Sequence, residues 1–110
     1  FKIIHCDEFQ TQGIDKIVER IRNRVGENPL YLSIDIDVLD PAYAPGTGTP
    51  EIAGMTTREI VNVIRGLSGL NLISADVVEV APAYDHAEVT SLAAATIIYE
   101  LTNLFAKVKR

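Results

Sequence analysis

The chain has 110 residues, 47% of them apolar and 23% charged, with a net charge of -5, which is the balance of one folded globular unit and excludes a disordered chain. Its cations are scattered, which argues against nucleic acid, and no apolar run approaches the roughly 18 residues that a membrane span needs. The single Cys6 excludes an internal disulfide and favours an intracellular, cytoplasmic setting, while the acidic balance is compatible with a small cationic substrate.

Phe1 to Cys6 is short and apolar and predicts a first strand, with His5 and Cys6 at its end and both expected to be buried. The chain opens on Phe1, not Met, directly in that apolar stretch, so a longer chain is expected and any targeting segment would lie upstream. Gly13 to Val25 predicts a helix, because Ile14, Ile17, Val18, Ile21 and Val25 form one apolar stripe, with Gly26 and Pro29 placed to end it. Leu30 to Val38 predicts the second strand. From Asp40 to Gly54 runs a long loop, and four prolines or glycines within Pro45 to Pro50 favour a fixed shape. Thr56-Thr-Arg-Glu59 reads as a capping box opening a helix to about Leu67. Leu70 to Val80 predicts the third strand, and Pro82 stops it. A last helix from about Thr90 to Phe105 carries Leu92, Ala95, Tyr99, Thr102 and Phe105 on one face. Alternating strands and helices predict an α/β fold with a parallel sheet covered on both faces. Three strands are few for such a sheet, so the chain reads as part of a larger one.

The residues with chemistry gather at the carboxyl ends of the predicted strands. On a strand of period two, Ser33, Asp35 and Asp37 share one face, and the two aspartates would stand roughly 7 Å apart. Two carboxylates that close to a core repel each other, and a divalent cation resolves the conflict by replacing lost hydration and cancelling charge. Open α/β sheets bind ligands beyond these strand ends. Glu79 closes the third strand at the same edge, and three acids at one edge make a site signal that one acid would not. Strand-end solvation and capping remain the alternatives for Asp35 and Asp37, as an ion pair does for Glu79. Asp40 precedes Pro41 and reads as a turn starter; Asp76 reads as hydrogen-bonded structure. His86 reads as solvated or near the pocket rim.

Ser33-Ile-Asp-Ile-Asp-Val-Leu-Asp-Pro41 resembles the third signature of the arginase and agmatinase family of ureohydrolases. Ala44-Pro-Gly-Thr-Gly-Thr-Pro-Glu51 with Gly54, and Asp76-Val-Val-Glu-Val80, are similar to the stretches that follow it there. The resemblance runs from Leu30 onward and implies a three-layer α/β/α domain with a mainly parallel sheet, of which residues 1–110 would form a C-terminal portion of about three strands and three helices. It implies a dinuclear manganese site with Asp35 and Asp37 as metal ligands, Glu79 paired with the substrate guanidinium, and Thr49 lining the pocket. A hydroxide bridging the metals would attack the guanidinium carbon and release urea. Ala81-Pro-Ala-Tyr-Asp85 and Thr90-Ser-Leu-Ala-Ala94 look agmatinase-like, which implies agmatine, putrescine and urea, with guanidinobutyrate or another guanidino acid as the alternative. A homo-oligomer, trimer or hexamer, is implied as well. The family's Gly-Gly-Asp-His and Asp-Ala-His-x-Asp segments do not occur in this chain, so it would supply only part of the site and be inactive alone.

Two rival readings stand beside this one. A haloacid-dehalogenase-like phosphatase also carries Asp-x-Asp at a strand end, but Leu39 stands where it expects Thr, and the Gly-Thr-Gly-Thr-Pro loop has no place in it. A non-catalytic α/β module could use the acids only as caps. A receiver-like version of it would need an acidic pair after the first strand and a late lysine.

Overall fold

The computed structural model describes residues 1–108. Two parallel strands form its sheet, β1 (Leu30–Asp35) and β2 (Leu72–Val78), in a register that sets Ser33 opposite Asp76 and Asp35 opposite Val78. Four helices accompany them: α1 (Cys6–Gln12), α2 (Ile14–Val25), α3 (Thr57–Gly66) and α4 (Val89–Ala106). The elements from α2 onward follow the predicted alternation.

The first predicted strand does not form. Residues 1–5 take no regular structure and pair with no strand among the described residues, and the chain turns helical at Cys6. Glu8 reaches back to accept from the His5 amide at 3.2 Å, which caps the helix at the point where the strand was expected to end. His5 and Cys6 are exposed, not buried, because α1 has no buried residue at all.

Helix α3 starts as its sequence dictates. The Glu59 amide donates to the Thr56 hydroxyl at 3.1 Å, and the Thr56 amide donates to the Glu59 carboxylate at 2.7 Å. Its apolar side, Ile60, Val61 and Ile64, packs toward α4 and the sheet. The glycine ending α3 lets α2 approach: a Cβ on Gly66 would meet both Val18 methyls at 2.8 Å.

Helix α4 buries a different face from the one grouped by the sequence spacing. Ala93, Ala94, Ile97, Leu101 and Leu104 are buried, while Leu92 and Tyr99 are exposed. The helix is apolar on both sides, so periodicity could not select the inward one. By length and composition alone its 18 residues would reach the lower limit of a membrane span, longer than the runs expected from the sequence. Here it is the core helix, with one side against β2 and α3. It carries a buried Glu100, whose carboxylate takes two bonds from Arg65, at 2.5 and 2.9 Å.

Leu30, Leu32, Ile34, Ala75 and Val77 face this helical layer. Tyr31, Ser33 and Asp35, alternating with them, face the other way. The described residues thus supply the sheet and one helical layer of the expected three. On the open face, both the Ser33 hydroxyl, at 2.7 Å, and the Tyr31 hydroxyl donate to Asp76. Those bonds hold the Asp76 carboxyl below its ordinary range, and the same contact raises the Tyr31 phenol. Asp76 is structural, as its position inside the strand suggested.

Candidate metal and substrate site

Strand β1 is shorter than its alternation predicts. It stops at Asp35, and Ile36–Val38 make one turn of 3-10 helix. Asp35 caps that turn, accepting from the Asp37 amide at 3.2 Å. Asp37 is therefore a turn residue and not the next position on the strand face. Ile36 and Leu39, both fully buried, explain the break: the turn drives each of them into the core, which a straight strand would not do. Asp35 and Asp37 are both half-buried at the carboxyl end of β1.

The Asp40–Gly54 loop is then tied to the strand end. The Asp40 carboxylate accepts from the Ala42 amide and the Ala53 amide, each at 2.9 Å, which makes the turn the sequence implies and closes the loop across its base. Leu39 and Met55 form a parallel bridge, with Asp40 donating to Met55 at 2.9 Å and Met55 to Val38 at 2.8 Å. Gly54 makes this possible, since a Cβ there would sit 2.5 Å from the Asp40 nitrogen. The loop brings Thr49 to the acids: its hydroxyl donates to Asp37 Oδ2 at 2.9 Å. Thr49 was expected only to line a pocket, and its bond to Asp37 was not legible from spacing. The Thr47 hydroxyl, in the same loop, is buried without a hydrogen-bond partner among the described residues.

Glu79 lies one residue beyond Val78, the partner of Asp35, so it stands at the same sheet edge. It is exposed, and its φ of 64° lies in the left-handed region, which is uncommon for a residue with a side chain. Such strain persists only where the surroundings impose it, and it concentrates at functional positions. Here the surroundings include Ala81, two residues on, whose amide donates to the Gly46 carbonyl at 2.8 Å.

Asp85 completes the frame. Its carboxylate accepts from the Thr90 and Ser91 amides at 2.9 Å each and from the Ser91 hydroxyl at 3.0 Å. Burial pushes this carboxyl up, but the Thr90 side chain and amide and the Ser91 amide and hydroxyl outweigh it and hold it well below the carboxylate range. His86 is exposed, as expected.

Asp35 and Asp37 offer hard oxygen donors of the kind magnesium, manganese and calcium prefer. Neither joins an ion pair: among the described residues those are Glu8 with Arg20 and Arg65 with Glu100. Half-buried carboxylates without a cation beside them fit a divalent ion. They are only part of a site, because no group of three or more His, Cys, Asp or Glu able to hold a metal occurs among the described residues.

The model of the arginase family matches residues 1–103. A relative from Schizosaccharomyces pombe, provisionally named agmatinase 1, is 63% identical over 97% of this chain and 27% of its own length. An agmatinase from Photorhabdus laumondii is 49% identical over the whole chain and 36% of its own length. The solved proclavaminate amidino hydrolase of Streptomyces clavuligerus superposes with a TM-score of 0.96 at 42% identity, over 98% of this chain and 37% of that one. The chain thus spans about a third of the length of the relatives it matches.

Proposed function

Because the chain belongs to the arginase family, we propose that residues 1–110 are the C-terminal portion of a single ureohydrolase domain and supply half of its metal site and its guanidinium-binding acid. The full-length protein would be a manganese-dependent enzyme, most closely an agmatinase, hydrolysing agmatine to putrescine and urea. The observation that carries this reading is the strand-end arrangement of Asp35 and Asp37, without a cationic partner among the described residues, with Thr49 bonded to Asp37. The names of relatives at 63% and 49% identity support agmatine as the substrate. The family match leaves the Asp-x-Asp phosphatase reading without support.

Asp35 and Asp37 would ligate manganese, with the remaining ligands supplied from outside this chain. Manganese, when bound, supplies Lewis acidity and makes water a nucleophile near neutral pH. The protein's own residues do the rest. Asp35 holds the Asp37 amide, and Thr49 holds the Asp37 carboxylate, so both acids are oriented before any ligand arrives. Glu79 would pair through two oxygens with the planar guanidinium, which fixes the carbon to be attacked and cancels the substrate charge. Water adds at that carbon, the bond to the alkyl amine breaks, and the amine leaves protonated with urea as the other product.

A second reading has a specific observation behind it. The amidino hydrolase with a TM-score of 0.96 is named for a different guanidino substrate, so the same frame serves more than one tail. Guanidinobutyrate or another guanidino acid is the alternative. We also propose a cytoplasmic, intracellular setting, supported by the exposed free thiol of Cys6, and a homo-oligomer, trimer or hexamer, on the family resemblance alone.

The test is urea release by the manganese-loaded full-length protein from agmatine, guanidinobutyrate and arginine. Agmatine should give the highest kcat/KM, and Glu79→Gln should lower it roughly a hundredfold, the scale of a lost charge-assisted pair. The 110-residue piece alone should release none. No urea from any of the three would contradict the proposal.

A further inference from the structure

Gly46 is gripped from two sides. Its amide donates to the Thr90 hydroxyl at 2.8 Å, and its carbonyl accepts from the Ala81 amide at 2.8 Å. One residue of the loop thus joins the first turn of α4 to the segment that follows β2. Its distance from the acids along the chain is short on both routes: Thr49, which holds Asp37, lies three residues beyond Gly46, and Glu79 lies two residues before Ala81. Thr90 is fully buried, and its own place is fixed by Asp85, which accepts from its amide. The packing leaves no slack at Gly46, where a Cβ would come within 2.7 Å of the Asp85 Cβ.

We propose that Thr90 is a positioning residue for the guanidinium site: through the Gly46 peptide it sets where Thr49 and Glu79 stand relative to each other. The inference rests on the proposed roles of those two residues. Among the described residues Thr90 bonds to none of Asp35, Asp37, Thr49 and Glu79, so it acts through the Gly46 peptide and through Asp85. The base of the loop is already closed by Asp40, Ala53 and Met55. Losing the Thr90 bond would therefore leave the loop folded and let its middle drift. Such drift weakens binding of substrate and transition state alike, which raises KM and leaves kcat nearly unchanged.

Two substitutions in the full-length, manganese-loaded protein separate this role from plain packing. Thr90→Val keeps the volume and removes the acceptor; Thr90→Ser keeps the acceptor and removes a methyl group. Thr90→Val should raise the KM for agmatine roughly tenfold, as loss of one hydrogen bond allows, with kcat changed less than threefold. It should speed deuterium exchange in residues 45–50 and 79–84 together. Thr90→Ser should keep KM and exchange near wild type, even where its melting temperature falls. The opposite order, or equal effects of the two, overturns the proposal. If Thr90→Val does not fold, Thr90→Cys, a weak acceptor of similar size, takes its place with the same expected order. Wild-type urea release tests the activity by itself. If there is none, exchange decides alone, and unchanged exchange in Thr90→Val overturns the inference.

Discussion

Two stretches outside regular sheet and long helix, residues 1–12 and the loop from Asp40 to Gly54, are held in opposite ways. In residues 1–12, the stretch from Phe1 to Cys6 looks apolar enough for a strand, yet Phe1 and Ile3 are exposed and α1 buries nothing. Its ties are a few side-chain contacts, such as Glu8 with Arg20 at 2.8 Å. The loop from Asp40 to Gly54 is rich in Pro and Gly, yet Ala44 is fully buried and Thr47 nearly so. Its backbone is bonded at Asp40, Gly46, Ala53 and Met55. Irregular backbone is fixed when its amides and carbonyls find partners, and apolar letters alone do not make a strand when no partner strand is beside them.

Substitutions can break or sharpen this contrast. The largest effect is expected from Gly54→Ala, whose Cβ would press on backbone at 2.5 to 2.8 Å. It should cost roughly 4 kcal/mol, the severe end for one residue, with urea release lost as well. Ile36→Ala comes next, removing a side chain of zero exposure that seats the 3-10 turn between the two aspartates. Roughly 3 kcal/mol is expected from denaturant titration. Asp40→Ala should cost roughly 2 kcal/mol, by leaving the Ala42 and Ala53 amides unpaired at the loop base. In residues 1–12, Glu8→Gln should change the melting temperature least of these, because its pair with Arg20 is only partly buried and Gln keeps an acceptor for the His5 amide. A large drop there would erase the contrast.

Acid sharpens it from another side. The Arg65 bonds hold the Glu100 carboxyl below its ordinary range, against the upward push of burial. A carboxyl lowered in the folded state contributes stability in full above its unfolded value of roughly 4.3, and that contribution fades as pH falls through the folded value. Glu100→Gln should therefore flatten the fall in melting temperature below about pH 4. An unchanged acid limb would contradict this.

Much of the fold was legible because its signals are local. The stripe from Ile14 to Val25, the Thr56 to Glu59 box and the motif at Ser33 each specify their element within a few residues. The failures have physical causes. The first strand was read from apolar content, which a strand needs but which does not supply its partner. The inward side of α4 was ambiguous because the exposed Leu92 and Ile98 are as apolar as the buried Ile97 and Leu101. Asp37 was set on the strand because alternation does not register a cap, and Asp35 capping its own turn ended the strand three residues early. At the proposed site, the acids were singled out by their pattern. The bonds from Thr49 to Asp37 and from Gly46 to Thr90 span 12 and 44 residues, and no local pattern encodes them.

The most direct measurement is a crystal structure of the full-length protein grown with manganese, with anomalous data collected above the manganese edge. The account predicts anomalous peaks at ordinary metal–oxygen distance from both Asp35 and Asp37, lost or halved in Asp35→Asn. Peaks elsewhere, with the two aspartates paired instead to lysine or arginine, would contradict it.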